Sequence, residues 1–110
     1  QKKDVQFTRG KGFDTFCPAG PWMVPRDEVR FEDLRIRTSV DGELKQDASV
    51  KDMIFPVDVI IAHVTQCMTL EPGDLIATGT PPGVGPVQPG VTVQVDIEGI
   101  GVLRNPVIRG

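Results

Sequence analysis

Glycine and proline are concentrated in one stretch of the chain, residues 71–90, where they account for ten of twenty positions. Because proline fixes φ and lacks a backbone N–H donor, and because glycine favours turns, this stretch cannot form a long helix. Within this stretch, residues 74–78 are predicted to form a short strand that is followed by a loop at 79–85. The whole chain has 12 glycines and 10 prolines among 110 residues, a composition that favours β structure joined by tight turns.

Size and charge exclude several classes of protein. A chain of 110 residues is one domain at most. It carries 12 Lys and Arg side chains against 15 Asp and Glu, a net charge of −3, which argues against a nucleic-acid footprint or a polybasic membrane anchor. Its apolar runs are only a few residues long, and a membrane-spanning helix needs about 20. We therefore expect a cytoplasmic protein that contacts neither nucleic acid nor membrane.

The cysteines and the start of the chain carry weaker signals. Cys17 and Cys67 lie fifty positions apart, which matches neither a CxxC motif nor a zinc site, so we expect reduced thiols. The chain begins with Gln1 and shows neither an initiator Met nor a signal peptide. This start predicts that the chain is the interior of a longer protein.

Alternating apolar residues predict the strands. Residues 34–46 form a predicted hairpin, because apolar and polar positions alternate before Asp41-Gly42, a preferred type I′ turn pair. Residues 91–97 alternate strictly between aliphatic and polar side chains, Glu98-Gly99 turns the chain, and residues 100–107 return as another strand. Together these patterns predict a mainly β, α+β fold with five to seven strands and one helix.

The one long helix is predicted at residues 56–69. Pro56 suits the first helical position, and apolar side chains recur at the spacing of a single helix face. The preceding residues 53–55 form a short apolar run that we expect to be buried. A further helical turn is predicted at 26–31, where Asp27 could cap the N-terminus.

The familiar catalytic and phosphate-binding motifs are absent: the sequence has no GxxxxGK, HExxH or GxSxG, and no GxGxxG after a strand. The only histidine, His63, lies on the flank of the predicted helix and is interpreted as structural. Asp41 and Glu43 flank the hairpin turn, and Asp96 and Glu98 share the solvent-facing side of a strand. Neither carboxylate pair alone supplies the converging oxygen ligands that a divalent cation requires.

Two features have the residue types of an anion-binding site. Lys11 lies between two glycines and near three phenylalanines in sequence, so its ammonium could stabilise a developing enolate or carboxylate. The alternative is a surface lysine in a turn. Residues 78–83, Thr-Gly-Thr-Pro-Pro-Gly, offer two hydroxyls and unhindered backbone N–H groups, as an anion-binding loop does. The alternative there is a rigid turn.

Five segments, in order along the chain, resemble the fumarylacetoacetate hydrolase family. They are KGFDTF at 11–16, GPW at 20–22, DMIF at 52–55, LEPGDLIATGTPPGVG at 70–85 and EGIG at 98–101. The resemblance covers essentially the whole chain, and the combination of KGFDTF with PGDLIATGTPPGVG is specific to that family. It implies that residues 1–110 are the C-terminal part of a single catalytic domain with the family's mixed β roll, here incomplete.

The resemblance also implies a function. Members of the family hydrolyse, decarboxylate, isomerise, hydrate or tautomerise small 2-oxo acids or their enols, with Mg²⁺ or Mn²⁺ as a Lewis acid on the developing enolate. By resemblance, Lys11 and Thr15 lie beside the metal, and Lys11 adds catalytic positive charge there. Thr80 is then expected to contact the substrate carboxylate, and Gln1 another part of the substrate. A homodimer or higher homo-oligomer is also implied.

The chain departs from the family pattern in one respect. The family's metal carboxylates, a Glu-x-Glu pair and a later Asp, precede the position of Gln1, so this chain contains none of them, and no general base is evident. We therefore expect the chain alone to be inactive and the whole protein to be the enzyme. Two alternatives stay open: a non-catalytic ligand-binding subunit of the same fold, and an unrelated all-β interaction domain.

Overall fold

The computed structural model describes residue 5 and residues 7–109, and its centre is an open sheet of four strands. The strands lie in the order β2-β1-β3-β4, and their bounds are β1 Arg35–Val40, β2 Glu43–Ser49, β3 Thr92–Ile97 and β4 Gly101–Pro106. The other described elements are the α-helices α1 Thr8–Lys11 and α2 Val57–Val64 and the short 3-10 helices Arg26–Glu28, Phe31–Asp33 and Val50–Asp52. The mainly β, α+β fold is confirmed. All pairings in the described sheet are antiparallel, so the mixed pairing expected from the resemblance is not found in it.

Four strands form in the described residues rather than the five to seven predicted. Residues 74–78 have irregular backbone instead of the predicted strand. They follow a turn in which the Asp74 N–H donates to the Glu71 carbonyl at 3.0 Å. A strand needs a neighbour that satisfies its backbone groups, and sequence pattern alone does not reveal whether a neighbour is within reach.

The predicted hairpin turn at Asp41-Gly42 is confirmed. Both residues have positive φ, 48° and 84°, as a type I′ turn requires. The Asp41 carboxylate also accepts a hydrogen bond from the Thr92 backbone N–H at 2.7 Å. Asp41 therefore has two roles. It forms part of the β1–β2 turn, and its side chain connects that turn to the start of β3 by a hydrogen bond.

Strand register places one row of side chains across all four strands. The row consists of Gln46 on β2, Thr38 on β1, Val95 on β3 and Leu103 on β4. Directly opposite residues share a face of the sheet, so these side chains lie on the same side. Lys45, which precedes Gln46, has no partner in the register and forms a β-bulge.

The helix at the centre of the chain is shorter than predicted. α2 spans Val57–Val64, and Pro56 is its N-cap in extended conformation (φ −66°, ψ 158°) rather than its first helical residue. At the other end, the Thr65 hydroxyl contacts the carbonyls of Ile61 and Ala62 at 3.0 and 3.1 Å. The Thr65 N–H still donates to the Ile61 carbonyl at 3.0 Å, whereas the Gln66 N–H donates to the His63 carbonyl at 3.2 Å. The hydrogen-bond ladder therefore changes to a tighter turn after Thr65.

Two short 3-10 helices, at Arg26–Glu28 and Phe31–Asp33, replace the single helical turn predicted at 26–31. The predicted cap Asp27 is wrong. The N-cap position is occupied by Pro25, and there is no side-chain cap hydrogen bond. Asp27 lies inside the first turn instead.

The chain leaves much of its apolar surface uncovered. Its accessible surface is 9362 Å², against roughly 6,000 Å² expected for a compact monomer of this length, and none of the described residues is fully buried. The predicted burial of residues 53–55 is wrong for Ile54 and Phe55, which are 90% and 61% exposed, whereas Met53 is half-buried. Among residues 5 and 7–109, no helix has both the length and the apolarity to cross a membrane.

Candidate functional site

Two of the five recognised segments pack on the same face of the sheet. Residues 83–87 and the face that carries Thr38 and Gln46 enclose a cleft of about 500 Å³. The turn at 20–22 lines a second, smaller cavity with Val95 and Leu103, the other two members of the same row. Because the row crosses all four strands, the two segments lie at its opposite ends.

The loop that contains Thr80 is held by a side chain of β2. The Gln46 amide nitrogen donates to the Thr80 hydroxyl oxygen at 2.8 Å and to the Pro81 carbonyl oxygen at 2.9 Å. Gln46 and Pro81 are half-buried, and Thr80 is exposed. The Thr80 hydroxyl therefore has a fixed neighbour on the sheet side and an open side toward solvent, as a ligand-contacting hydroxyl needs.

The same loop approaches the β2 backbone so closely that only glycine fits at position 83. A Cβ on Gly83 would lie 2.0 Å from the Lys45 carbonyl oxygen, and the residue has a φ of +108°. Lys45 is the bulge residue of β2. The bulge and the glycine thus bring the loop against the strand. Its interpretation as an anion-binding loop, with a rigid turn as the alternative, stays a prediction.

The turn at 20–22 docks on the β3–β4 hairpin through Trp22. Its indole nitrogen donates to the Ile100 carbonyl oxygen at 3.0 Å. Its ring also covers Gly101, where a Cβ would lie 2.7 Å from the Trp22 Cζ2 atom. The GPW and EGIG segments are therefore two sides of one contact, which ties the N-terminal region to the sheet.

Lys11 ends the short helix α1 and lies beside an aromatic ring. Its Nζ atom is 5.2 Å from the centre of the Phe7 ring, within the range of a cation–π interaction. Thr15 follows with a positive φ of 68°, and both Lys11 and Thr15 are exposed. Phe13 and Phe16 contact one another with ring centres 5.5 Å apart.

The predicted site residues thus fall into separate groups. Lys11 contacts Phe7, whereas Thr80 contacts Gln46. None of the hydrogen bonds or ring contacts of the described residues joins Lys11 or Thr15 to Thr80, so their convergence on one ligand stays a prediction. Gln1 lies outside the described residues.

Gln46 is a residue that the sequence analysis missed as a site residue. The sequence pattern places it only in the returning strand of the hairpin. Its partner Thr80 is 34 positions away, and no local pattern marks a strand glutamine as a loop anchor. The feature that marks Gln46 as a loop anchor is its position in the row of side chains, next to the bulge. That position depends on strand register.

A cluster of charged side chains lies on β1 and β2, on the face of the sheet opposite to Gln46. The Arg35 Nε atom donates to Asp47 at 2.5 Å, and the Arg37 Nε atom lies 3.6 Å from the same carboxylate oxygen. The hydrogen bond from Arg35 lowers the pKa of Asp47, and the bond to Asp47 raises the pKa of Arg35. This cluster is a cross-strand ion pair on an exposed surface.

The described residues do not hold a metal ion by themselves. They contain no group of three or more His, Cys, Asp or Glu side chains placed to bind one. This part of the protein alone therefore does not supply the set of ligand atoms that a divalent cation needs. Cys17 and Cys67 are free and exposed.

Comparison with known proteins identifies close relatives of the whole chain. The family model described as fumarylacetoacetate (FAA) hydrolase C-terminal matches residues 1–108. Protein Rv2993c of Mycobacterium tuberculosis is 53% identical over 111 residues, which cover 99% of this chain and 42% of that protein. The chain spans less than half the length of the curated relatives it matches.

Solved structures share the fold as well as the sequence. The crystal structure of 2-hydroxyhepta-2,4-diene-1,7-dioate isomerase from Mycobacterium marinum has a TM-score of 0.93 and 55% identity, covering 99% of this chain and 42% of that chain. Maleylpyruvate hydrolase from Sphingobium sp. SYK-6, solved in complex with manganese(II) and pyruvate, has a TM-score of 0.86 and 40% identity. That match covers 89% of this chain and 38% of the hydrolase.

Proposed function

Because the chain belongs to the fumarylacetoacetate hydrolase family, we propose that it is part of a divalent-metal-dependent enzyme acting on small 2-oxo acids or their enols. The reaction is hydrolysis of a C–C bond in an acylpyruvate-type substrate, or isomerisation or decarboxylation of a related acid in aromatic catabolism. The family supports an enzyme of the hydrolase and isomerase type. The relative from Mycobacterium tuberculosis is more than twice as long as this chain. In this proposal the active species is the whole protein and not this chain alone.

The single observation that carries the proposal is the docked loop. Gln46 and Gly83 hold Thr80 against β2 with its hydroxyl at an open surface. Gly79 and Thr80 carry backbone N–H groups on the N-terminal side of this hydroxyl, whereas Pro81 and Pro82 carry none. A hydroxyl beside the backbone N–H groups of a glycine-containing turn is suited to hold a carboxylate. The similar maleylpyruvate hydrolase was solved with pyruvate, a small 2-oxo acid, which supports this substrate class.

Each predicted residue of this chain has a role in the proposal. Thr80 donates a hydrogen bond to the substrate carboxylate, and Gln1 contacts another part of the substrate. The Lys11 ammonium stabilises the negative charge that develops when the substrate becomes an enolate, because a preorganised cation interacts more strongly with the transition state than with the neutral ketone. Thr15 lies in the same segment and contributes its hydroxyl to that neighbourhood.

A divalent cation, Mg²⁺ or Mn²⁺, would supply Lewis acidity when bound. The described residues form no cluster that could hold it, so its ligands belong to another part of the protein in this proposal. The manganese(II) in the similar maleylpyruvate hydrolase supports the use of such an ion. The chain also exposes much apolar surface, and we expect the whole protein to be a homodimer or larger homo-oligomer.

The test is an assay of the full-length protein after removal of metal with a chelator. We expect turnover of an acylpyruvate or of oxaloacetate to return when Mg²⁺ or Mn²⁺ is added and to be absent without either. A protein that binds pyruvate in the presence of Mn²⁺ but turns over none of these substrates would favour the second candidate, a non-catalytic ligand-binding subunit.

A further inference from the structure

The direction of the hydrogen bond between Gln46 and Thr80 follows from a third group. The Gln46 amide nitrogen lies 2.9 Å from the Pro81 carbonyl oxygen. A carbonyl oxygen only accepts hydrogen bonds, so the amide group facing it must be the NH₂ and not the C=O. The same nitrogen lies 2.8 Å from the Thr80 hydroxyl oxygen, which makes Thr80 the acceptor of that bond.

An acceptor role toward Gln46 leaves the Thr80 proton free. A threonine hydroxyl has one proton to donate and two lone pairs to accept with. Because Gln46 occupies a lone pair, the proton turns away from the sheet, toward the exposed side of the loop. We propose that Gln46 is a positioning residue that aims the Thr80 proton at the carboxylate of the substrate; this rests on the proposed role of Thr80.

The position of the loop does not depend on Gln46 alone. Gly83 is seated against the Lys45 carbonyl, where a side chain at position 83 would collide with backbone. A substitution of the Gln46 side chain changes the polarity around Thr80, but it adds nothing at position 83 and leaves the close approach of Gly83 to the Lys45 backbone sterically possible. This separation makes the positioning role distinguishable from a purely structural one.

The decisive substitution is Gln46→Glu in the full-length protein. The new carboxylate has nearly the same shape, but it accepts hydrogen bonds, so the Thr80 proton would turn toward the sheet and away from the ligand. We expect the affinity for pyruvate, measured by calorimetry in the presence of Mn²⁺, to fall about tenfold or more. KM for the substrate should rise by a similar factor, with a smaller change in kcat.

Two further variants separate proton direction from other effects. Gln46→Leu removes both donors but leaves the Thr80 hydroxyl free to rotate, so it should weaken pyruvate binding less than Gln46→Glu does. Gln94→Glu is the matched control, because Gln94 uses its amide oxygen to accept from Arg104 at 2.7 Å and a carboxylate keeps that contact. It should bind pyruvate like the wild type.

A double substitution distinguishes aiming of the Thr80 proton from simple charge repulsion. In a Thr80→Val background, Gln46→Glu should cause little additional loss of pyruvate affinity, because the hydroxyl on which it acts is gone. A loss of the same size in both backgrounds would overturn the proposal, and so would equal effects of Gln46→Leu and Gln46→Glu. If the wild type itself bound no pyruvate, the proposed function would fail first and this inference with it.

Discussion

The indole nitrogen of Trp22 donates a hydrogen bond to the backbone carbonyl of Ile100 at 3.0 Å, across 78 positions of the chain. This bond and the contact of the ring with Gly101 fix the N-terminal region on the β3–β4 hairpin. The segment 11–16, which carries Lys11, ends six positions before Trp22. The Trp22 contact therefore brings the chain that follows this segment onto the sheet.

The Trp22 contact predicts a specific cost for a methyl group at position 101. Gly101 has a φ of +146° and no room for a Cβ beneath the indole ring, whereas Gly99 has a φ of +83° and open space around it. Both Gly101→Ala and Gly99→Ala strain the backbone, but only the first collides with Trp22. We expect Gly101→Ala to destabilise the full-length protein by about 1–3 kcal/mol more than Gly99→Ala, measured by urea unfolding. Equal losses would show that the indole yields without cost.

The close approach of the loop to β2 predicts that Gly83 cannot be replaced. The Cβ of Gly83→Ala would lie 2.0 Å from the Lys45 carbonyl oxygen, so the loop must move off the strand and take Thr80 with it. We expect a higher KM and a loss of about 2 kcal/mol or more in unfolding free energy. Gly85→Ala, two positions along, meets nothing within 4 Å and should behave like the wild type. A wild-type KM for Gly83→Ala would contradict the docked geometry.

The proposed role of Lys11 is tested by removing its charge. Lys11→Ala in the full-length enzyme should lower kcat roughly 100-fold or more, because one preorganised group that stabilises transition-state charge is lost. Lys51→Ala is the control. Lys51 is an exposed lysine that pairs with Asp33 at 3.3 Å, and its removal should leave kcat unchanged. An unchanged kcat in Lys11→Ala would contradict the catalytic role and support the alternative, a surface lysine in a turn.

The proposed role of Thr80 is tested by substrate affinity. Thr80→Val keeps the shape of the side chain and removes its hydroxyl, so KM should rise about tenfold, as expected for loss of a hydrogen bond to a charged group. Thr80→Ser keeps the hydroxyl and should remain close to the wild type. Steady-state kinetics on the full-length enzyme measure both, and a normal KM for Thr80→Val would remove Thr80 from the site.

The pH dependence of stability should contain a contribution from Asp47. Its pKa is lowered from an ordinary value of 3.8, first by the hydrogen bond from Arg35. A lowered folded-state pKa stabilises the protein above pH 3.8, and that contribution is lost as the pH falls through the folded-state value. The stability difference between wild type and Asp47→Asn should therefore be constant near neutral pH and shrink in acid.

Urea unfolding at a series of pH values measures this difference. The effect is small, because the pair is exposed and solvent screens it. The raised pKa of Arg35 adds no pH dependence in this window, since the guanidinium stays charged throughout. An Arg35→Gln background should remove most of the shrinkage in acid; shrinkage that persists there would assign it to another carboxylate.

Turn and strand chemistry was predictable because it is local. Asp41-Gly42 makes a type I′ turn through the φ values of two adjacent residues, and the strict alternation at 91–97 matched β3 almost residue for residue. The errors arose where a neighbour decides the outcome. Residues 74–78 have no ladder partner among the described strands. The backbone bonds of α2 change to a tighter turn after Thr65, where the Gln66 N–H donates to the His63 carbonyl.

The amino-acid pattern alone determined the mainly β fold, the family and the loop that contains Thr80, because turn pairs, periodicity and segment identity each depend on neighbouring residues in the chain. Only the tertiary structure decided what holds that loop. The partnership of Gln46 with Thr80 spans 34 positions and depends on the bulge at Lys45 and on the register of β2 against β1. Such a contact is fixed by how strands pair in space, which the spacing of residues along the chain does not specify.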